Sequence, residues 1–165
     1  MRRLRLVARV IWCAASAIVG AATVLAQSAD PRITIADVEK VTGLAGLTIV
    51  APRSVPGAGP GVNFAGSDRK MILMVNFGTA DLYRRARAQT EMKVGNTSVP
   101  MKLFHADVPG IGDEAFDSPP GPVQYVLYLR KGEKAASLTT YLRGGKPVLT
   151  TDQLRQLGAL VAPRL

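Results

Sequence analysis

A predicted antiparallel strand pair in the second half of the chain places the strongest limit on how it folds. Residues 123–130 and 135–142 each alternate apolar and polar side chains, and the short segment Lys131-Gly132-Glu133-Lys134 joins them. Alternation with a period of two puts the apolar side chains of a strand on one face, and a glycine-containing connection of this length favours a hairpin. The apolar face of this hairpin must therefore be covered by the rest of the chain.

A second hairpin is predicted in the first half of the chain. Residues 62–65 and 70–77 flank Gly66-Ser67-Asp68-Arg69, which is typical of a four-residue hairpin turn. The later segment, KMILMVNF, is apolar on both faces, and this pattern indicates a central strand covered on both sides. Leu73 in this strand and Leu127 in the other hairpin are therefore predicted to be buried.

Three helices are predicted from the signals at their ends. Thr34 and Thr150 each precede an acidic or amide side chain by three residues, which is the spacing of a capping box at the start of a helix. Gly43 is placed to take the left-handed conformation that ends the first helix. The second helix is predicted from residue 80 to about residue 92.

The order of these elements predicts a single α+β domain over residues 33–165. It would contain three helices and an antiparallel sheet of about six strands, because strands that occur in runs favour antiparallel pairing over a parallel βαβ arrangement. The segments at about 47–92 and 111–162 each hold three strands followed by a helix, which suggests a duplicated βββα unit.

Residues 1–26 are predicted to be a signal peptide for export. Four arginines lie within the first nine residues, residues 10–25 are apolar, and Val24-Leu25-Ala26 fits the small-residue cleavage rule. An uncleaved membrane anchor is the alternative, but a membrane-spanning helix needs about 20 apolar residues and this segment is shorter. Residues 27–32 would form a polar lead-in to a periplasmic or secreted protein that meets the membrane only through its signal sequence.

The only cysteine, Cys13, lies inside the predicted signal peptide. The mature chain would therefore contain no cysteine, which excludes disulfides, thiol redox chemistry and cysteine metal sites. The glycine- and proline-rich residues 51–61 lack the Lys-Ser/Thr pair of a phosphate-binding loop, and no cofactor is expected.

Basic residues exceed acidic ones by 21 to 12, and 17 basic residues remain without the four N-terminal arginines. This excess favours an anionic partner without requiring one. Arg84, Arg85 and Arg87 share the outer face of the predicted second helix, which is either simply solvated or a contact for an anionic surface or acidic protein. Nucleic acid is not expected, because export removes that target and no recognition motif is present.

The candidate ligand-binding residues are His105, Asp107, Asp113 and Glu114. His105 is the only histidine, and it lies two residues before Asp107. A metal site is not predicted, because one histidine does not form a histidine-rich zinc site and adjacent residues of a strand point to opposite faces. We instead expect Asp113 to accept hydrogen bonds from amides of the Gly110–Gly112 turn.

The same region carries a resemblance to known proteins. The run Val108-Pro109-Gly110-Ile111-Gly112-Asp113-Glu114-Ala115-Phe116, a strand pair ending in Arg130-Lys131-Gly132, and a C-terminal Thr-x-x-Gln-Leu helix resemble a group of small exported bacterial domains of unknown function. These domains are similar to certain actinobacterial secreted lipoproteins and to the extracellular sensor domains of some bacterial kinases. The resemblance covers about residues 33–165 and implies a binding or sensing module, although the lipid-attachment cysteine of the lipoproteins is missing here.

Two classes of function remain open at this point. The first is a non-catalytic exported module that binds a partner protein or a small molecule in a cleft beside the sheet. The second is a periplasmic hydrolase in which His105 acts with Asp107 or Glu114. Convergence of these side chains in a concave pocket favours the enzyme, and their dispersal along a rim favours the binding module.

The export prediction is tested by the mass of the mature protein. We expect the protein recovered from the periplasm to begin at Gln27, because Val24 and Ala26 fit the cleavage rule. Intact-mass spectrometry of periplasmic and membrane fractions measures this directly. A chain that keeps residues 1–26 and remains in the membrane fraction would contradict the prediction.

Overall fold

The computed structural model describes residues 30–51, 59–89, 91–94, 97–100, 106–118 and 124–165. The predicted signal peptide and His105 lie outside these ranges. Within them, the helices are α1 (Ile35–Thr42), α2 (Ala80–Ala88), α3 (Thr151–Val161) and a short 3-10 helix (Ala162–Arg164). The strands are β1 (Thr48–Val50), β2 (Gly61–Ala65), β3 (Met71–Thr79), β4 (Glu91–Val94), β5 (Thr97–Pro100), β6 (Ala106–Asp107), β7 (Glu114–Ser118), β8 (Gln124–Lys131), β9 (Lys134–Arg143) and β10 (Lys146–Pro147).

The strands form one antiparallel sheet in the order β1-β2-β3-β9-β8-β7-β6, with β10 paired to β9. The α+β prediction is therefore confirmed. Among the described residues the sheet has eight strands rather than about six, because the two-residue strands β6 and β10 give no readable alternation in the sequence. In addition, β4 and β5 form a separate hairpin.

The sheet consists of two meanders, β1-β2-β3 and β7-β8-β9, joined by the pairing of β3 with β9. Val75 of β3 lies opposite Leu138 of β9 near the middle of this pairing. The strand order is thus the one expected of a duplicated three-stranded unit. The helices do not follow the same symmetry, because α2 and α3 pack on opposite faces of the sheet.

The main core lies between the sheet and the layer formed by α1 and α3. Leu73 and Leu127 are fully buried in it, as predicted. The helix α3 packs closely against β8 because Gly158 has no side chain; a Cβ at this position would lie 2.6 Å from Cδ2 of Leu127. The other large side chains fully buried in this core are Ile33, Phe64, Phe77, Leu129, Leu138, Leu149, Leu154 and Leu157.

The opposite face of the sheet carries a smaller aromatic cluster under α2. The ring of Phe116 stacks on that of Tyr128 at 5.0 Å and meets the ring of Tyr83 edge to face at 5.1 Å. The helix α2 is shorter than predicted, since it ends at Ala88 and the backbone of Gln89 is extended. The sequence signal that was missed is the Gly95-Asn96 pair between Val94 and Thr97, a typical hairpin connection.

Among the described residues no helix has the length and apolar character needed to cross a membrane.

The C-terminus of the chain holds α1 in place through Asp37. The capping box predicted at Thr34 is present, with its hydroxyl accepting from the Asp37 amide and the Asp37 carboxylate accepting from the Thr34 amide. The same carboxylate binds the Arg164 guanidinium at 2.6 Å. The Arg164 hydrogen bonds lower the pKa of Asp37 from 3.8 to about 2.

Replacing Asp37 should therefore destabilise the fold in a pH-dependent manner. Asp37→Ala removes a charged acceptor, and we expect the free energy of unfolding at pH 7 to fall by about 1–3 kcal/mol. Because the folded-state pKa is lowered, the stabilisation is present above about pH 4 and is lost as the pH falls towards 2. Urea titrations from pH 7 to pH 2 measure it.

Asp152→Ala is the matched control for this experiment. Asp152 also lies in the first turn of a helix, but its side chain is 85% exposed and 4.0 Å from its arginine partner. Its removal should change the stability much less. An equal loss in both variants, or a loss in Asp37→Ala that persists at pH 2, would contradict the role given to the Asp37–Arg164 pair.

Candidate functional site

The site is organised by the close passage of Gly112 beside β8. The backbone of Gly112 has a φ of +63°, and a Cβ at this position would overlap the carbonyl oxygen of Arg130. The amide of Asp113 donates to that same oxygen at 2.8 Å. Glycine at this position therefore allows the segment before β7 to hydrogen bond to β8.

Asp113 accepts an amide hydrogen bond, as predicted, but the donor differs from the predicted one. Its Oδ2 accepts from the N–H of Gly132 at 2.8 Å. Gly132 lies in the turn between β8 and β9, whereas the prediction named amides of the Gly110–Gly112 turn. The contact joins two segments that are 19 residues apart in sequence, which local turn rules do not anticipate.

The prediction that Asp113 and Glu114 point to opposite faces of a strand is wrong. Glu114 is the first residue of β7, and Asp113 precedes the strand, so the alternation of a strand does not apply to the pair. Both carboxylates reach the guanidinium of Arg130. Nη2 of Arg130 binds Oε1 of Glu114 at 2.8 Å, and Nη1 lies 3.9 Å from Oδ2 of Asp113.

These carboxylates line a cleft between α2 and the edge of the sheet formed by β6, β7 and β8. The cleft consists of two concavities of about 530 Å³ and 410 Å³, both lined by Tyr83, Arg87 and Glu114. The larger also has Asp107, Val108, Pro109, Asp113 and Ala115 in its wall, and the smaller has Arg84, Ala88 and Arg130. Three of the four predicted residues, Asp107, Asp113 and Glu114, thus line one cleft.

Arg87 and Asp107 form the ion pair at the outer edge of the cleft. Nη2 of Arg87 lies 2.6 Å from Oδ1 of Asp107, and the guanidinium lies 5.0 Å from the centre of the Phe116 ring. The Asp107 side chain is 76% exposed and that of Arg87 is 39% exposed. A charged ligand that enters the cleft can therefore compete for either member of this pair at small cost.

The arginines of α2 do not act as one basic face. Arg84 pairs with Asp81 at 2.6 Å, and this hydrogen bond raises the pKa of Arg84. Arg85 donates to the carbonyl oxygen of Asp81 and does not line the cleft. Of the three predicted cations, one is therefore paired on the helix, one binds the backbone and one binds Asp107.

Tyr83 and Arg130 are the site residues that the sequence analysis missed. Burial raises the pKa of Tyr83, and the nearby charge of Glu114 raises it further, so the phenol stays neutral. The hydrogen bond from Arg130 to Glu114 raises the pKa of Arg130. Of these two residues, only Arg130 could be linked to the site from strand pairing, since the pairing of β7 with β8 places it opposite Glu114. The sequence alone does not predict which residues of these two strands pair.

A second polar cluster lies on the other face of the sheet and is separate from the cleft. Asp117 is buried, and its Oδ2 accepts from Nε of Arg155 on α3 at 3.0 Å. Burial raises the pKa of the neighbouring Tyr125 to about 12. This cluster links β7 to α3, and Asp117 does not join Asp113 and Glu114. In the described part of the chain, no group of three or more potential ligands is placed to hold a metal ion.

No protein-family model, curated protein or solved structure matches this chain.

Alanine substitutions of Gly112 and Gly110 test whether the close approach of Gly112 to β8 stabilises the fold around Asp113. Gly112→Ala should lower the free energy of unfolding by about 2–4 kcal/mol, because it adds both backbone strain and an overlap with the Arg130 carbonyl. Gly110→Ala should cost about 1–2 kcal/mol, since Gly110 also has a positive φ but has no atom near its Cβ position. Equal losses in denaturant titrations would show that the approach to β8 is not a constraint.

Proposed function

We propose that this chain is an exported, non-catalytic binding module whose cleft holds a small ligand or peptide segment through a cationic amine or guanidinium. The observation that carries the proposal is that three carboxylates of the cleft share two arginines, because Arg84, the third arginine of the wall, binds Asp81 outside the cleft. The Pro-Gly-Ile-Gly-Asp-Glu-Ala resemblance to exported sensor domains and the basic, apolar N-terminal segment support export and binding.

The charge balance of the cleft favours a cation. Three carboxylates line it, those of Asp107, Asp113 and Glu114, and the facing cations are Arg87 and Arg130. Arg84 adds no free charge, because Asp81 neutralises it from the helix surface. One negative charge therefore remains without a full partner, and a concave wall strengthens its effect on a ligand.

Asp113 and Asp107 are the carboxylates most open to a ligand. Asp113 lies 3.9 Å from Arg130, at the limit of an ion pair, and Asp107 is held only by one exposed arginine. A ligand amine placed between them would gain charged hydrogen bonds that the free protein leaves weak. The neutral Tyr83 hydroxyl provides a further polar contact in the same wall.

The pairing of each carboxylate also argues for binding rather than catalysis. Asp107 and Glu114, the two partners considered for His105 in a hydrolase, each bind a guanidinium. A general base must lie within hydrogen-bond reach of the proton it removes, and an oxygen already bound to a guanidinium is poorly placed for that contact. The convergence of Asp107 and Glu114 in a concave cleft alone would favour the hydrolase, but His105 lies outside the described residues, and the guanidinium contacts of both carboxylates favour ligand binding.

Variants with opposite expected effects test the proposal. We expect the N-acetylated, C-amidated tripeptide Gly-Lys-Gly to raise the melting temperature of the protein and the equally blocked Gly-Glu-Gly to leave it unchanged, since the side chain is then the only charge of each peptide. Glu114→Gln should weaken Gly-Lys-Gly binding about ten-fold, since it removes one charged acceptor. Arg87→Gln should strengthen binding, because it frees Asp107 from its competing cation. Isothermal titration calorimetry measures the dissociation constants.

Arg85→Gln and Glu133→Gln are the matched controls, because they make the same charge changes outside the cleft. Neither should alter the dissociation constant by more than about two-fold. Tighter binding of Gly-Glu-Gly than of Gly-Lys-Gly would overturn the choice of a cationic ligand. Cleavage of either peptide by the wild type that is lost in Asp107→Asn would favour the hydrolase.

A further inference from the structure

Four cations gather at the end of the sheet opposite the cleft. Arg69 and Lys70 lie in the turn between β2 and β3, and Arg143 and Lys146 flank the turn between β9 and β10; we call these four residues the basic tip. The turns touch, since Nη2 of Arg143 donates to the carbonyl of Met71 at 3.4 Å. All four side chains belong to exposed residues.

The basic tip has too few acids to neutralise it. In the described part of the chain, Asp68 is the one carboxylate within ion-pair distance of the tip, with Oδ2 at 3.6 Å from Nζ of Lys70 and 3.5 Å from Nη1 of Arg143. Among the described residues, no carboxylate lies within ion-pair distance of Arg69 or Lys146. The tip therefore presents a net positive charge, whereas the arginines of α2 largely do not.

Two features of the basic tip work against stability. Arg143 and Lys146 are direct cross-strand neighbours, and like charges in that position repel. Arg69 has a φ of +57°, which is the one positive φ found outside glycine in the described residues and a strained conformation for arginine. The similar pair Lys131 and Lys134 is relieved, because Nζ of Lys134 donates to the terminal residue Leu165. In the tip, Arg143 contacts Asp68 and the Met71 carbonyl, whereas no carboxylate of the described residues lies within ion-pair distance of Lys146.

We propose that the basic tip docks on the anionic phospholipid head groups of a membrane surface. The four cations sit on long side chains that project from two adjacent turns, which suits a laterally extended array of phosphates. Phosphates between Arg143 and Lys146 would turn their mutual repulsion into a shared attraction. An exported protein meets such a surface as it leaves the membrane, and the N-terminal arginines are not needed for this contact.

Docking by the tip would leave the cleft accessible. The strand β9 runs from Lys134, beside the cleft, to Arg143 in the tip. Ten residues of extended strand span roughly 30 Å, so a membrane bound at the tip does not cover Arg130 or Glu114. The proposed ligand site and the proposed membrane contact are therefore able to work at the same time.

Vesicle co-sedimentation of the full chain tests the proposal. The double variant Arg69→Gly, Lys146→Ser removes two tip cations together with the strained arginine. We expect its partition onto phosphatidylglycerol-containing vesicles at low salt to fall about five-fold for each cation removed. Its partition onto phosphatidylcholine vesicles should stay unchanged. Its melting temperature should equal or exceed that of the wild type, which separates lost binding from lost folding.

The control is Arg85→Gln, Lys131→Ser, which removes two exposed cations outside the tip, at the cleft end of the sheet. We expect this variant to bind anionic vesicles within about two-fold of the wild type, because Lys131 and α2 lie at the end of β9 opposite the tip and would not touch the head groups. An equal fall in both double variants would assign the effect to net charge and overturn the proposal. Tip-dependent binding to polyglutamate but not to vesicles would also overturn it, in favour of an acidic polypeptide.

Discussion

The approach of Gly112 to the carbonyl oxygen of Arg130 is the contact on which the architecture of the site depends. It brings the segment before β7 against β8, so that the Asp113 amide donates to β8 and the Asp113 carboxylate reaches Gly132. It also brings Ile111 close to Gly158 of α3, where the absence of a side chain leaves room for the helix to approach. The Gly-Ile-Gly-Asp-Glu run thus joins a strand, a turn and a helix. The approach of Gly112 fixes the backbone beside Asp113 and Glu114, whose side chains line the cleft.

Local chemistry predicted a large part of this fold from the sequence. Both main hairpins, the burial of Leu73 and Leu127, and the capping boxes of α1 and α3 follow from periodicity and end signals, which depend on residues a few positions apart. The pairing of β3 with β9 was not predictable in this way, since it joins residues about 60 positions apart. The convergence of Asp113 and Glu114 on Arg130 was missed for the same reason. In addition, the alternation of side chains along a strand does not govern Asp113, because Asp113 precedes the first residue of β7.

The net charge of the chain does not indicate where positive charge lies on the protein surface. The arginines of α2 look like a basic face in the sequence, but Arg84 and Arg87 each meet a carboxylate and Arg85 binds a carbonyl. The cations that outnumber their carboxylate partners lie in or beside two turns that are far apart in sequence and adjacent in the fold. Opposite ends of the sheet thus differ in charge: the cleft at one end is lined by paired carboxylates and arginines, and the basic tip at the other end has more cations than nearby carboxylates.

The two-meander sheet has a consequence for the order of folding. Within β1-β2-β3 and within β7-β8-β9 most partners are close in sequence, so each meander forms with small loops to close. Only the seam between β3 and β9 requires closure of a long loop, the segment that contains α2 and the β4–β5 hairpin. We expect the rate-limiting step to be the docking of two largely formed halves along this seam. Substitutions at the seam would then slow folding, whereas those at the outer strands would chiefly speed unfolding.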